Sequence, residues 1–526
     1  MQNVNKVKNS TRVEHFKATV KSSPRNQADY QHPISAFGTQ IKNPINVLVL
    51  YGKNDPTEIV TKVNSMNLGE NTIVFIDFPL ALADRRAVAE YFHKSTSGQN
   101  SFLLIDQVLA VFLALKTSAE RLPAFLKCTL PFTRYQPFVF DGGPTADDMF
   151  CGRVSELQKI LDPQGACVVY GGRQLGKTAL LQRAESLRSK PEDSHYAVYT
   201  NIIKLTSEKE AVTRILSDIN RKTGLRLKDV DSIKALADQL SALFREGVVR
   251  SLLLLIDEAD DFLESISGNN YTQLQPFVDL KRETHNDFKF VLAGLHNVYR
   301  TKNATDHNGV FGQLGTPLCI KPLSPNDALQ LISRPLMYLG FQVDRYPHLE
   351  TILTNTNYYP GILQFFGYNL VQSVPLQYGE YFSAKSGNPP FTLEEKQLSA
   401  IMTSNDLNNS IKEKFRLSLK LDKRYFMLAR VIALLYFEND VPETSRDGFS
   451  AAHIIDYAKD LGIHCLEDCN YNSAVNLLDE MVEMGILNRV KETKGYCLRR
   501  RSFLNIIGTD GDSLLDEIVL ENEETE

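Results

Sequence analysis

Residues Gly171 to Thr178 read GGRQLGKT, which fits the pattern G-x-x-x-x-G-K-[ST] without adjustment. Each residue type there has a chemical duty. The glycines (Gly171, Gly172, Gly176) let backbone N–H groups of the loop, through Arg173, Gln174 and Leu175, curl around phosphate oxygens. Lys177 is the cation that reaches β- and γ-phosphates, and the Thr178 hydroxyl is a Mg²⁺ ligand. From Ala179 onward good helix formers follow, so the loop opens a helix whose positive dipole end faces the anion. Ala166 to Tyr170, just before the loop, is a short apolar run with two adjacent valines, as a buried strand would be. Strand, loop and helix in that order weigh against a chance Gly-rich turn. The cofactors expected are ATP and Mg²⁺.

A second stretch, Ser251 to Asp261, reads SLLLLIDEADD. Leu252 to Ile256 is a fully apolar run that ends in two carboxylates, the pattern of a buried parallel strand. Asp257 is the candidate metal ligand, directly or through water, and Glu258 the candidate that polarises the attacking water. Apolar strands often end in Asp for no catalytic reason. A phosphate loop upstream in the same chain favours the functional reading.

These motifs need a sheet to hold them. Tyr196–Ile202, Phe288–Leu292 and Pro317–Pro322 read as further strands, with helices over Ser207–Lys222 and Val230–Glu246. The expectation is a parallel five-stranded sheet with Lys177 and Asp257 near neighbouring strand ends. Upstream, Ile45–Tyr51, Asn71–Phe78 and Ser101–Ile105 alternate with helical patterns at Ala81–Phe92 and Val108–Thr117, a smaller α/β domain of parallel type. Asp77 and Asp106 at its strand ends read as caps or turn residues. Residues 1–40 read as a polar, loosely attached arm, and Pro131–Pro144 as a boundary.

With 526 residues the chain has room for three or four domains. Its net charge of −5 means that any nucleic-acid contact must be a local patch. Seven scattered Cys suit a reducing, cytoplasmic setting, and His464, Cys465 and Cys469 read as structural. No apolar run approaches a membrane span, and no membrane partner is expected.

A family resemblance starts at Phe150-x-Gly152-Arg153-x-x-Glu156-Leu157. This box, just upstream of the phosphate loop, resembles the element that opens the ATPase domain of STAND NTPases and of archaeal-type and origin-recognition-type AAA+ ATPases. The resemblance implies that Phe150, Gly152 and Arg153 lie against adenine and ribose. The strand order, with Glu258 beside Asp257, is similar to the ASCE division of P-loop ATPases, where Asp257 and Glu258 would form the Walker B end. In AAA+ proteins a polar sensor follows the fourth strand; here both His296 and Asn297 are candidates. Arg300 lies where oligomeric relatives carry an arginine finger. A helical lid is implied from Leu323, with Ser324 as N-cap and Pro360 as the turn proline that touches adenine. Ile362, Leu363 and Gln364 stand where a sensor-2 arginine is usual, which favours the STAND-like, slow form.

Residues 385–409 read as a linker. Tyr425–Phe437, Ala451–Leu461 and Ser473–Met484, then a hairpin about Lys494-Gly495, read as a winged helix. The organisation expected is α/β: polar arm 1–40, N-terminal α/β domain 41–135, P-loop NTPase core 145–322, helical lid 323–383, winged helix 410–510 and acidic tail 511–526, frayed from Glu517 to Glu526. The expected function is an ATP-hydrolysing switch in a bacterial defence or regulatory system, acting with a protein effector or a second copy. The alternative is an ATP-gated DNA-binding protein of origin-recognition or transposition-helper type, with Lys420, Lys423, Arg424 and Arg499–Arg501 on DNA. Asp257-Glu258-Ala259-Asp260 spells a DEAD box, but no second RecA-like domain follows. A chain that only binds nucleotide is disfavoured by the intact Lys177, Thr178, Asp257 and Glu258.

Overall fold

The computed structural model describes residues 4–10, 13–18, 45–52, 55–68, 72–94, 102–132, 136–139, 149–295, 310–377, 389–420, 422–438, 448–490, 495–499, 503–508 and 510–523. They form two compact units. The first contains Met1–Cys151, Ser324–Thr356 and Gly361–Leu407; the second contains Gly152–Leu323, Asn357–Pro360 and Asn408–Glu526. Among the described residues no helix is long and apolar enough to cross a membrane.

The first unit is built on a five-stranded sheet in the order β1-β2-β3-β4-β5: Val4–Ser10, Val13–Ala18, Ile45–Leu50, Thr72–Ile76 and Phe102–Ile105. β3, β4 and β5 are parallel, as expected, but β1 and β2 add an antiparallel hairpin. Part of the expected loose arm is therefore sheet. Its polar composition concealed this because an inward-facing member of β2 is His15, 4% exposed, which bonds Asn46 Oδ1 at 3.1 Å. Leu48, Leu50, Val74 and Phe102 pack with Ile59 and Val63 of the helix Pro56–Ser65 and Val88 of the helix Leu82–Lys94. Asp106 caps the helix Gln107–Ala114 through Leu109 N, and Asp77 accepts from Gly52 N at 2.7 Å, so both serve as cap and turn residues.

On the other face, Leu103 and Ile105 meet Phe125 and Leu126 of the helix Ser118–Thr129, and Tyr338 of the helix Pro325–Tyr338. Ser324 caps that last helix with Pro325 in its first turn. The helices expected to form a separate lid thus share a unit with the N-terminal sheet. The Pro131–Pro144 boundary is replaced, in its described part, by packing. Gln136 Nε2 donates to Tyr368 O at 3.0 Å, and a Cβ on Gly367 would meet the Phe138 ring at 2.6 Å. The expected linker 385–409 also carries structure. β12 (Phe391–Leu393) runs parallel to β11 (Phe341–Val343), and helices Glu395–Met402 and Asn405–Leu419 follow. Phe391 and Leu393 bury themselves there, which a reading of its Gly and Pro content passed over.

The second unit is an α/β P-loop NTPase core with a parallel five-stranded sheet. Its order is β10-β6-β9-β8-β7, where β6 is Val168–Tyr170, β7 His195–Asn201, β8 Ser251–Asp257, β9 Phe288–Gly294 and β10 Leu318–Cys319. Every residue of β8 and β9 is buried, which explains the apolar run of β8 and the mostly apolar β9, whose one charged residue is Lys289. β9 lies between β6 and β8, so Lys177 and Asp257 follow strands one apart rather than neighbours. The same unit holds helices Lys423–Glu438, Ala451–Asp460 and Tyr471–Glu483, then an antiparallel hairpin of β13 (Leu487–Arg489) and β14 (Tyr496–Leu498).

The acidic end is helical as far as it is described. Gly511–Glu523 is a helix whose Leu514 and Ile518 are buried in the core formed with Lys423–Glu438. Arg430, buried on that partner helix, pairs with Glu517 at 2.6 Å. Leu514→Ala is expected to cost about 3 kcal/mol in urea unfolding, as buried leucines do. The exposed Val519→Ala on the same helix should cost little. Equal effects from the two would show that the helix does not pack as described.

Candidate functional site

β6 delivers the chain to Gly171, whose φ of +154° and close approach to β10 admit no side chain: a Cβ would stand 2.6 Å from Ile320 O. The loop then turns through Gly176 in the left-handed region, φ +88°, into the helix Lys177–Arg188. The backbone N–H groups at this helix start are the donors an anion needs. Lys177 Nζ donates to Gly171 O at 2.8 Å and Gly172 O at 3.0 Å, which curls the side chain over the loop. Burial lowers its pKa, against the attraction of Glu258 and Asp257. Arg173 is exposed on the loop, Gln174, Thr178 and Ala179 are half-buried, and Leu175 is fully buried. Gln174 Oε1 is buried without a hydrogen-bond partner among the described residues.

β8 delivers Asp257, which is 0% exposed. Thr178 Oγ1 donates to its Oδ2 at 2.7 Å, and Tyr199 of β7 donates to the same oxygen at 3.0 Å. Glu258 N donates to Oδ1 at 3.0 Å. Glu258 itself has φ +55°, a left-handed conformation that a non-glycine residue adopts at a cost of order 1 kcal/mol. Burial raises its pKa first, Asp257 adds to this, and Lys177 opposes it. A carboxyl held above its usual range is a better proton acceptor than an ordinary surface glutamate. Asp260 is occupied elsewhere: both its oxygens accept from Leu295 N, at 3.0 and 2.8 Å, which ties the end of β9 to the turn after β8. His296, Asn297 and Arg300 lie outside the described residues.

The Phe150–Glu156 box has a role that its sequence did not suggest. Gly152 and Arg153 are both left-handed, φ +67° and +64°, and lead into the helix Val154–Leu161. Arg153 donates to Leu175 O at 3.1 Å, to Lys321 O, and to Glu156 Oε1 at 3.1 Å. Its guanidinium braces the back of the phosphate loop. Lys289 of β9 holds the other end of that helix, donating to Ile160 O at 2.7 Å and Asp162 O at 2.6 Å; burial pulls its pKa down to about 8. Phe150 is half-buried and belongs to the first unit. Pro360 does lie by the loop: a Cβ on Gly176 would sit 3.8 Å from its Cγ.

A second junction escaped sequence reasoning. Tyr170 OH, at the end of β6, donates to Glu483 Oε2 at 2.9 Å, and a Cβ on Gly172 would lie 3.8 Å from Met484 O. Asn357 Nδ2 donates to Gly485 O at 3.0 Å, and Tyr359 OH donates to Met484 O. The turn that ends the helix Tyr471–Glu483 thus rests beside the phosphate loop. Gly485 was legible only as a helix stop, a role it keeps with φ +76°.

The residues fit a magnesium nucleotide. A glycine cradle closed to side chains, a buried ammonium, a helix N-terminus, and a hydroxyl–carboxylate pair make up the donor set of a nucleoside triphosphate with a hard divalent cation.

Residues 160–301 match a family model described as an AAA domain. No curated protein matches. Among solved structures, the Walker-type ATPase PABY2304 of Pyrococcus abyssi is similar at 16% identity, TM-score 0.49, over 70% of this chain and 99% of that one. The ORC2 protein of Aeropyrum pernix, in ADPNP–ADP complexes, is similar at 16% identity, TM-score 0.44, over 71% and 94%. Cdc6p of Pyrobaculum aerophilum is similar at 14% identity, TM-score 0.31, over 69% and 94%. The segment 160–301, which carries the phosphate loop and β6 to β9, is thus similar to an AAA domain.

Proposed function

We propose that this protein is a Mg²⁺-dependent ATPase of STAND-like type that works as a slow molecular switch, reading nucleotide state with its C-terminal helices and hairpin. One observation carries the switch reading: the Glu483–Gly485 turn is bonded to Tyr170 and lies beside Gly172. A loop that reshapes around phosphate would strain or relieve those contacts, so nucleotide state and the position of the C-terminal module share one equilibrium.

In this reading the loop from Gly171 to Ala179 binds the phosphates and Lys177 neutralises them. Thr178 and Asp257 hold Mg²⁺, which when bound supplies charge neutralisation on the phosphate oxygens. Glu258 takes the proton of the attacking water. Pro360 and Gly152 serve the base side, and His296 or Asn297 is the sensor. Arg153 acts through the loop it braces rather than on the nucleotide. The finer assignments, a winged helix and a defence or regulatory role with a protein effector or second copy, belong to the same proposal. DNA contact is the weaker alternative. Of the basic residues that would carry it, Arg424 is paired with Asp422 at 2.8 Å, and Arg499 approaches the Gly485 turn.

Two variants test the chemistry. Lys177→Ala removes charged hydrogen bonds of about 3 kcal/mol, so ATP affinity by calorimetry should fall about a hundredfold. Unchanged affinity would sink the phosphate-loop assignment. Glu258→Gln should leave ATP bound with turnover down about 10² to 10⁴-fold, since the amide is a poor proton acceptor. Wild-type turnover in that variant would remove Glu258 from the role.

A further inference from the structure

Tyr199 stands on β7, the edge strand, yet its phenol reaches the centre of the site. Its backbone is clamped from behind. Tyr199 N donates to Glu185 Oε1 at 2.8 Å, and Lys222 Nζ donates to Tyr199 O at 2.8 Å and to Glu185 Oε1 at 2.6 Å. The same ammonium lies 5.3 Å from the centre of the Tyr199 ring. Glu185 belongs to the helix that begins with Lys177 and Thr178, so the tyrosine is fixed to the element that bears a metal-side hydroxyl. The phenol O–H then donates to Asp257 Oδ2 at 3.0 Å, the oxygen that also accepts from Thr178.

This places three donors on one carboxylate: Thr178 and Tyr199 on Oδ2, and Glu258 N on Oδ1. A buried carboxylate with donors on both oxygens cannot rotate freely, and each donor draws charge from it. We infer that Tyr199 is a positioning residue for the metal: its hydroxyl sets the orientation and charge of Asp257, and through them the affinity of the nucleotide site for Mg²⁺. Phenylalanine would supply the same ring to the same space, so only the hydroxyl serves this purpose. Partners of this kind behind a metal ligand commonly change metal affinity by 10–100-fold. The inference rests on the Mg²⁺–nucleotide reading proposed above.

The test is Tyr199→Phe in the full chain, with binding of a non-hydrolysable ATP analogue measured by calorimetry across a Mg²⁺ titration and again in EDTA. The Mg²⁺ concentration that half-saturates the enhancement of binding should rise about tenfold. Affinity in EDTA should match the wild type, because the glycine loop and Lys177 are untouched. A merely structural tyrosine would weaken both arms together, and that result, or an unmoved Mg²⁺ midpoint, overturns the inference. If the wild-type chain binds the analogue in neither arm, the ATPase reading itself falls and takes this inference with it.

Discussion

The hydrogen bond from Thr178 to Asp257, 2.7 Å long, joins the first turn of one helix to the end of a strand 79 residues later. Neither partner is near the other in sequence, and β9 separates their strands in space. The bond forms because all five strands are parallel, so their carboxyl ends gather along one edge of the sheet. It also demands β9. That strand must be buried on both faces and must stop at Gly294, where Asp260 catches Leu295 N. The left-handed backbone of Glu258 belongs to the same constraint: the chain turns sharply off β8 while its N–H folds back onto Asp257.

Two buried cations solve a related problem behind the loop. The helix Val154–Leu161 lies between Arg153 and Lys289, one at each end; Lys289 donates to backbone carbonyls, and Arg153 to two backbone carbonyls and the Glu156 carboxylate. Arg153 reaches Leu175 and Lys321 across the loop; Lys289 satisfies carbonyls that a helix end leaves open. The phosphate loop is therefore braced by Arg153, at the start of a helix that is tethered at both termini.

What the amino-acid order revealed follows the range of the interactions involved. The glycines, Lys177 and Thr178 were legible because a phosphate loop is local, and β8 was legible because Leu252 to Ile256, buried on both faces, form an unbroken apolar run. The hairpin of β1 and β2 was hidden because His15 points inward and is satisfied by Asn46. The C-terminal helix was hidden because its acidic residues outnumber the Leu514 and Ile518 stripe, while the balancing Arg430 sits 87 residues earlier. Tyr170 and Glu483 are 313 residues apart, and no local pattern announces such a contact. Tyr199 was missed for a different reason: an aromatic residue on a strand is ordinary, and only the register of β7 against β8 brings its hydroxyl to Asp257.

The chain passes between its two units five times, after residues 151, 323, 356, 360 and 407. This bears on the order in which a nascent chain can settle. The N-terminal sheet has the helices of residues 56–129 at hand early, but lacks the helix Pro325–Tyr338, whose Tyr338 packs with Leu103 and Ile105, until that segment is made, and the phosphate loop lacks its C-terminal neighbours until later still. A cut after residue 151 would part Leu103 and Ile105 from Tyr338, and one after residue 407 would part Tyr170 from Glu483.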